Sequence, residues 1–179
     1  MNELTQEYLK ERIYYNSETG IFIWLPIPIR PEYRRFDLAW NTRYSGKQSG
    51  CVRKSRCQLA YIKISINKKP YQGHRLAFLY MTGKFPHDLT DHIDGNGTNN
   101  KWNNLRLANR LQNLANRKIN TNNTSGFKGV YFDKRDKRYY ARIGFNGDLN
   151  LGRFSTPEEA HIAYCKAAKE YFGEYARFK

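Results

Sequence analysis

Acidic residues are scarce in this chain of 179 residues. It has 16 Asp and Glu against 31 Lys and Arg, for a formal net charge of +15. The excess is not confined to a tail. Residues 1–90 hold 15 basic and 7 acidic groups, residues 91–119 hold 5 and 2, and residues 120–179 hold 11 and 7. A basic surface on every segment suits a long polyanion better than a small acidic ligand, because each phosphate contact releases counterions. Nucleic acid is the expected partner. Cysteine is also sparse: Cys51, Cys57 and Cys165 form no CxxC pair. That excludes the usual four-ligand structural zinc. Cys51 and Cys57 could pair, but an odd count points to reduced thiols and a cytoplasmic setting. No apolar run reaches the length of a membrane span. The first residues, MNELTQEYLKER, lack the apolar core of a signal peptide.

What is present can build a core. Hydrophobic residues make up 40% and aromatic residues 15% of the chain, which excludes a wholly disordered protein. The length suits one medium domain or two small ones. Residues 3–12 predict a helix with Leu4, Tyr8 and Leu9 on one face. YYNSETGIFIW (14–24) predicts a hairpin turning at Gly20, and residues 26–49 read as an irregular basic segment with Arg30, Arg34, Arg35 and Arg43. QLAYIKISI (58–66) alternates as a strand that turns at NKKP. HRLAFLYMTG (74–83) predicts a helix closed by Gly83.

The stretch DHIDGNGTNNKWNNLRLANRLQNLANR (91–117) holds eight asparagines and looks at first like a polar linker. It resolves into a short strand at DHIDG, a turn at DGNG, a second strand at LRL (105–107) and a helix over 109–118. Asn109 and Gln112 have the spacing of a capping box at the helix start. Such a strand–strand–helix unit gathers Asp91, His92, Asn104 and Asn113. Their chemistry suits phosphodiester hydrolysis. Neutral histidine is a general base with a pKa near 7. A carboxylate and an amide oxygen suit Mg²⁺ or Mn²⁺ rather than zinc. Asn104 can bond backbone across the Gly-rich loop with a donor and an acceptor together. Asn96, Asn99, Asn100 and Asn103 read as turn residues, and Asp94 as a turn acid. His87 and His161 read as surface groups. For His74 and Arg75, DNA binding and a packed structural role stay equally open.

DHIDGNGTNNKWNNLRLANRLQN, with GHRLAFLYMTGKFP before it, resembles the HNH nucleases of the phage and intron-encoded homing type, over residues 71–118. The resemblance implies a ββα-metal fold with His92 as general base, Asp91 as metal ligand and Asn104 as loop brace. Asn113 stands at a third position that is often histidine. Some homing members use asparagine there as a ligand, so the chain looks like an HNN variant. The family implies Mg²⁺ (or Mn²⁺), a phage-encoded protein and double-stranded DNA as partner. Arg75, Arg106, Arg110 and Arg117 are the DNA contacts expected around this core.

After a polar linker, NTNNTSG (120–126), come three predicted strands, FKGVYFD, RYYARIGF and LNLGRFS. A helix follows over TPEEAHIAYCKAAKEYFG, capped by Thr156 and Glu159, with an apolar stripe from Ala160 to Tyr171. Residues 123–178 resemble the plant APETALA-type (ethylene-response factor) DNA-binding domain, whose sheet enters the major groove. Period-2 alternation puts Tyr139, Ala141 and Ile143 under the helix and Arg138, Tyr140 and Arg142 outside. Lys128, Tyr131 and Asn150 fall where the family contacts DNA. Tyr131 and Asp148 stand where plant members commonly have arginine, so the target sequence does not transfer.

The expected fold class is α+β. A β-rich basic extension (1–70) precedes a ββα-metal core (71–119), the linker (120–126) and a three-strand-plus-helix module (127–179). The expected function is a site-directed endonuclease that nicks one strand per active site, as a monomer without membrane association. The alternatives are a non-cleaving DNA-binding regulator and a structure-specific or RNA nuclease.

Overall fold

The computed structural model describes residues 4–55 and 59–178, in a mixed α/β chain with small antiparallel sheets. It divides into two compact units, residues 1–107 and 108–179. The division falls inside the stretch that the sequence groups as one nuclease core.

The first unit opens with α1 (Gln6–Arg12), whose first turn is capped when Tyr8 N donates to Thr5 Oγ1. The hairpin β1 (Ile13–Asn16) and β2 (Ile21–Trp24) follows, with Gly20 at φ +74° in its turn. The expectation of an irregular segment over 26–49 fails here. Residues Arg34–Tyr44 form an eleven-residue helix, α2. Its inward face is polar, which is why apolar periodicity does not reveal it. Asp37 is 1% exposed and takes Arg30 Nη2 at 2.7 Å, while Asn41 exchanges two hydrogen bonds with the backbone of Ile27. Trp40 lies one turn on and meets Trp24 edge to face, with centroids 5.6 Å apart.

Three antiparallel strands come next: β3 (Cys51–Lys54), β4 (Ala60–Ile66) and β5 (Lys69–Gln72). Asn67 and Lys68 both take positive φ in the β4–β5 turn, as a two-residue hairpin requires. The expected alternation holds in β4, with Ile64 and Ile66 buried and Lys63 and Ser65 exposed. Residue 58 of the expected strand lies outside the described residues. The helix α3 (Gly73–Thr82) ends at Gly83 in the left-handed region, as expected. Leu76 and Ala77 from its buried face join Leu9, Ile13, Phe22 and Ile64 in the first core. The last elements are β6 (Leu89–His92) and β7 (Leu105–Ala108), which pair with each other.

The second unit begins with α4 (Arg110–Ala115), shorter than the helix expected over 109–118. Its capping box is present: Gln112 N donates to Asn109 Oδ1, and Asn109 N donates to Gln112 Oε1. The polar stretch 120–126 is folded down locally, since Ser125 Oγ donates to Val130 O and Asn123 Nδ2 to Phe127 O. Then β8 (Val130–Asp133), β9 (Arg138–Gly144) and β10 (Asp148–Phe154) form one antiparallel sheet with β9 central. The helix α5 (Pro157–Phe172) covers one face of it and carries the expected Thr156–Glu159 capping box. Ala141 and Ile143 are buried against Ala160, Tyr164 and Ala168. Gly129, at φ +73°, has no room for a side chain, because a Cβ there would lie 2.1 Å from the Tyr164 ring.

Candidate active site

Asp91 and His92 close β6 and are 4% and 5% exposed. Successive strand residues face opposite ways, and the two side chains have different neighbours. Asp91 Oδ2 accepts from Arg106 Nε on β7 at 3.0 Å. This ion pair is buried, with side chains 5% and 12% exposed. His92 packs among Tyr61 of β4 and His74 of α3, with centroids 6.1 and 5.0 Å away.

Asn104 ties the intervening loop together. Its Oδ1 accepts from Asp94 N at 3.0 Å, and its Nδ2 donates to Asp94 Oδ1 at 3.1 Å and to Asn99 O at 2.9 Å. Its backbone O accepts from Ile93 N at 2.9 Å. Asp94 is a turn acid that also collects Asn96 N and Asn99 Nδ2, each at 2.7 Å. Burial works to raise its pKa, but the bonds from Asn96, Asn99 and Asn104 and the nearby His92 outweigh it, so its carboxyl is held below the usual range.

Asn100 corrects the expectation of a plain turn residue. It is 1% exposed, its Oδ1 lies 3.3 Å from His92 Nε2, and its backbone O accepts from Tyr15 Oη at 2.6 Å. Nothing in an asparagine-rich loop distinguishes it, because its place depends on β1 and α3. Gly73 opens α3 directly against it: a Cβ there would lie 2.7 Å from Asn100 Nδ2. His74 is the second residue that stood out only weakly. It is 5% exposed, and burial, then His92 and Arg75, push its pKa down to about 3. Burial likewise lowers the pKa of His92, although the Asn100 bond and the charges of Asp94 and Asp91 offset part of the effect.

The other expected site residues are distributed as follows. Arg75 donates to Pro86 O at 3.2 Å and lies over the Phe85 ring. Asn113 is half-buried on α4, in the second unit, with Arg110 exposed in the first turn and Arg117 exposed just beyond. Lys128 is half-buried, and its Nζ donates to Ala115 O at 2.5 Å and to Arg177 O at 3.0 Å. Burial, then Arg177 and Arg117, push its pKa down to about 8. On the open sheet face Tyr131 stacks on Tyr140 at 5.2 Å, and Arg142 lies 5.0 Å over the Tyr131 ring. Tyr140 Oη donates to Asp136, and exposed Arg138 donates to Ser155 Oγ at 2.5 Å. Asn150 is exposed and accepts from Gly152 N at a bulge in β10. His161, expected at the surface, is half-buried beside Phe127.

Among the described residues no cluster of three or more His, Cys, Asp or Glu side chains is placed to hold a metal ion. The available donors are oxygens, a carboxylate from Asp91 and amides from asparagine, and that set suits a hard divalent cation. Also among the described residues, no helix is long and apolar enough to cross a membrane.

A buried histidine thus closes β6 beside an acid, next to a loop tied by Asn104. Residues 71–115 match the HNH endonuclease family. A protein of Acanthamoeba polyphaga mimivirus that bears the name of an HNH endonuclease is 35% identical over 116 residues, covering 63% of this chain and 59% of that protein. Protein 3.8 of Escherichia phage T7 is 34% identical over 89 residues, covering 50% of this chain and 74% of that protein. The chain carries an HNH endonuclease domain over residues 71–115. It spans about 59% of the length of the mimivirus relative. No solved structure matches it.

Proposed function

We propose that the chain is a divalent-metal-dependent endonuclease that hydrolyses phosphodiester bonds of double-stranded DNA, with His92 as general base. The observation that supports this most strongly is the His92 pocket. Asn100 Oδ1 lies 3.3 Å from Nε2 and, as an acceptor, favours the tautomer with the proton on that nitrogen, which suits a neutral ring acting as a base. Burial keeps the ring neutral near pH 7 by lowering its pKa. Asn104 keeps the loop fixed while the proton moves. Asp91 supports a role as metal ligand by its chemistry and its position before His92. Asn113 is retained as the second ligand on its motif position alone. When bound, Mg²⁺ or Mn²⁺ stabilises charge developing on the phosphate and the leaving oxygen. The products are a 5′-phosphate and a 3′-hydroxyl, and one active site nicks one strand. Site choice of the homing kind falls to the C-terminal unit, whose strand order and open face of Tyr131, Arg138, Tyr140, Arg142 and Asn150 agree with an APETALA-type reading. Exposed Arg34 and Arg35 of α2 add phosphate affinity.

A second reading rests on Arg106. Its guanidinium already occupies Asp91 Oδ2, which suits a DNA-binding regulator that does not cut. Supercoiled plasmid incubated with Mg²⁺ or with EDTA separates the two. The nuclease reading expects nicked circles with Mg²⁺ only, bearing ligatable ends. Tight duplex binding without cleavage in Mg²⁺ would replace it with the regulator.

A further inference from the structure

We propose that Lys128 and Arg177 are positioning residues that lock α4, and with it Asn113, onto the body of the C-terminal unit. This reassigns Lys128 from the DNA contact expected from sequence. The proposal rests on the reading of Asn113 as a metal ligand.

The helix α4 has six residues, too few to be stable on its own. The carbonyls at its C-terminal end need donors from elsewhere. They receive them from Lys128, two residues before β8, and from Arg177. Lys128 Nζ reaches Ala115 O at 2.5 Å and Arg177 O at 3.0 Å. Arg177 N donates to the same Ala115 O at 3.3 Å. Arg177 Nε reaches Asn116 O at 2.9 Å and Asn116 Oδ1 at 3.2 Å. Cationic donors on C-terminal carbonyls are favourable in both charge and dipole. Both acceptor residues are shielded from water, Ala115 at 7% and Asn116 at 6% exposure. Leu111 and Ala115 sit in the same apolar cluster as Tyr175, Ala176 and the face of α5. An ammonium that already donates to two carbonyls is poorly placed to meet a phosphate. The C-terminal unit thus has a second role besides recognition. It supplies the support for the motif's third position, and the last residues of the chain close that support.

The test uses the full chain with Lys128→Met, Lys128→Arg, Arg177→Ala and Asn113→Ala. Hydrogen exchange is read at the amides of Asn113, Asn116 and Arg117, which donate to Asn109 O, Gln112 O and Leu114 O, and at the β9 amides as an internal control. Lys128→Met should speed exchange in α4 by on the order of tenfold, with β9 unchanged. It should lower kcat by roughly tenfold to a hundredfold, the scale of a displaced catalytic group. Duplex affinity and its salt dependence should stay as in wild type, and Lys128→Arg should restore part of kcat. Arg177→Ala, which removes the side-chain donor to Asn116, gives the same pattern if Lys128→Met does not fold. Loss of duplex affinity and salt dependence with α4 exchange unchanged would overturn the proposal in favour of a phosphate contact. Equal acceleration in α4 and β9 would overturn it as well. If Asn113→Ala abolishes cleavage while both latch variants keep full kcat, the latch fails and the ligand stands. If Asn113→Ala cleaves normally, the ligand reading fails, and α4 exchange alone decides the latch.

Discussion

The two units put their polar side chains in opposite places. In the first, His74, Asp91, His92, Asn100 and Asn104 are all 8% exposed or less. In the second, Asn116 is the buried polar residue among those described, and the open sheet face shows Tyr131, Arg138, Tyr140 and Arg142 to solvent. Burying polar groups costs free energy unless they are bonded. On the proposed function, the first unit accepts that cost where a proton would move between fixed atoms, in surroundings that strengthen each electrostatic contact. The second keeps the arginines of its open sheet face wet, where they could exchange counterions for phosphate. On that proposal, the buried groups of the first unit serve chemistry and the exposed sheet face of the second serves recognition, so substitutions in these two places should fail in different ways.

The largest effect short of the base itself is expected from Asn104→Ala. It removes three bonds from the loop and leaves Asp94 N without its acceptor. The loss of stability should be about 2–4 kcal/mol by urea unfolding, since buried partners are left unsatisfied. Nicking should fall while duplex binding by the second unit persists. A variant as stable as wild type would show that the loop needs no brace.

His74 sharpens the comparison through pH. Its folded pKa, about 3, lies below the ordinary 6.5, so the unfolded chain binds the extra proton between those values. Stability should therefore fall as pH drops from about 6.5 toward 3, by about 1.4 kcal/mol per pH unit from this group. Above that window it contributes no slope. The variant His74→Leu should lack this part of the acid slope in urea titrations run at several pH values. Equal slopes would mean that His74 protonates freely in the folded protein.

The smallest effects belong to the open face. Arg142→Ala should weaken duplex binding by roughly 1 kcal/mol and reduce the salt slope by about 1, with kcat unaffected. A drop in kcat at saturating DNA would break the division between the units.

What could be read from the sequence follows the same divide. Local signals were legible. The capping boxes at Asn109 and Thr156, the Gly83 helix stop and the period-2 face of β9 depend on neighbours a few residues away. Asp91 and His92 stand out in the sequence only through the motif's spacing, and Asn104 bonds Asp94 and Asn99 across the loop between the strands. Two features escaped. The helix α2 hides because its inward residues are Asp37 and Asn41, whose partners Arg30 and Ile27 precede it by up to 14 residues. Asn100 hides among identical neighbours, and its meaning comes from Tyr15, Gly73 and His92, which meet only in the fold.

The central claim is that His92 moves the proton. Its direct test is single-turnover nicking of supercoiled plasmid with Mg²⁺ by wild type and His92→Ala, with duplex affinity measured on both. The account predicts a loss of about 10²–10⁴-fold in rate at unchanged affinity. Equal nicking by the two proteins would contradict it.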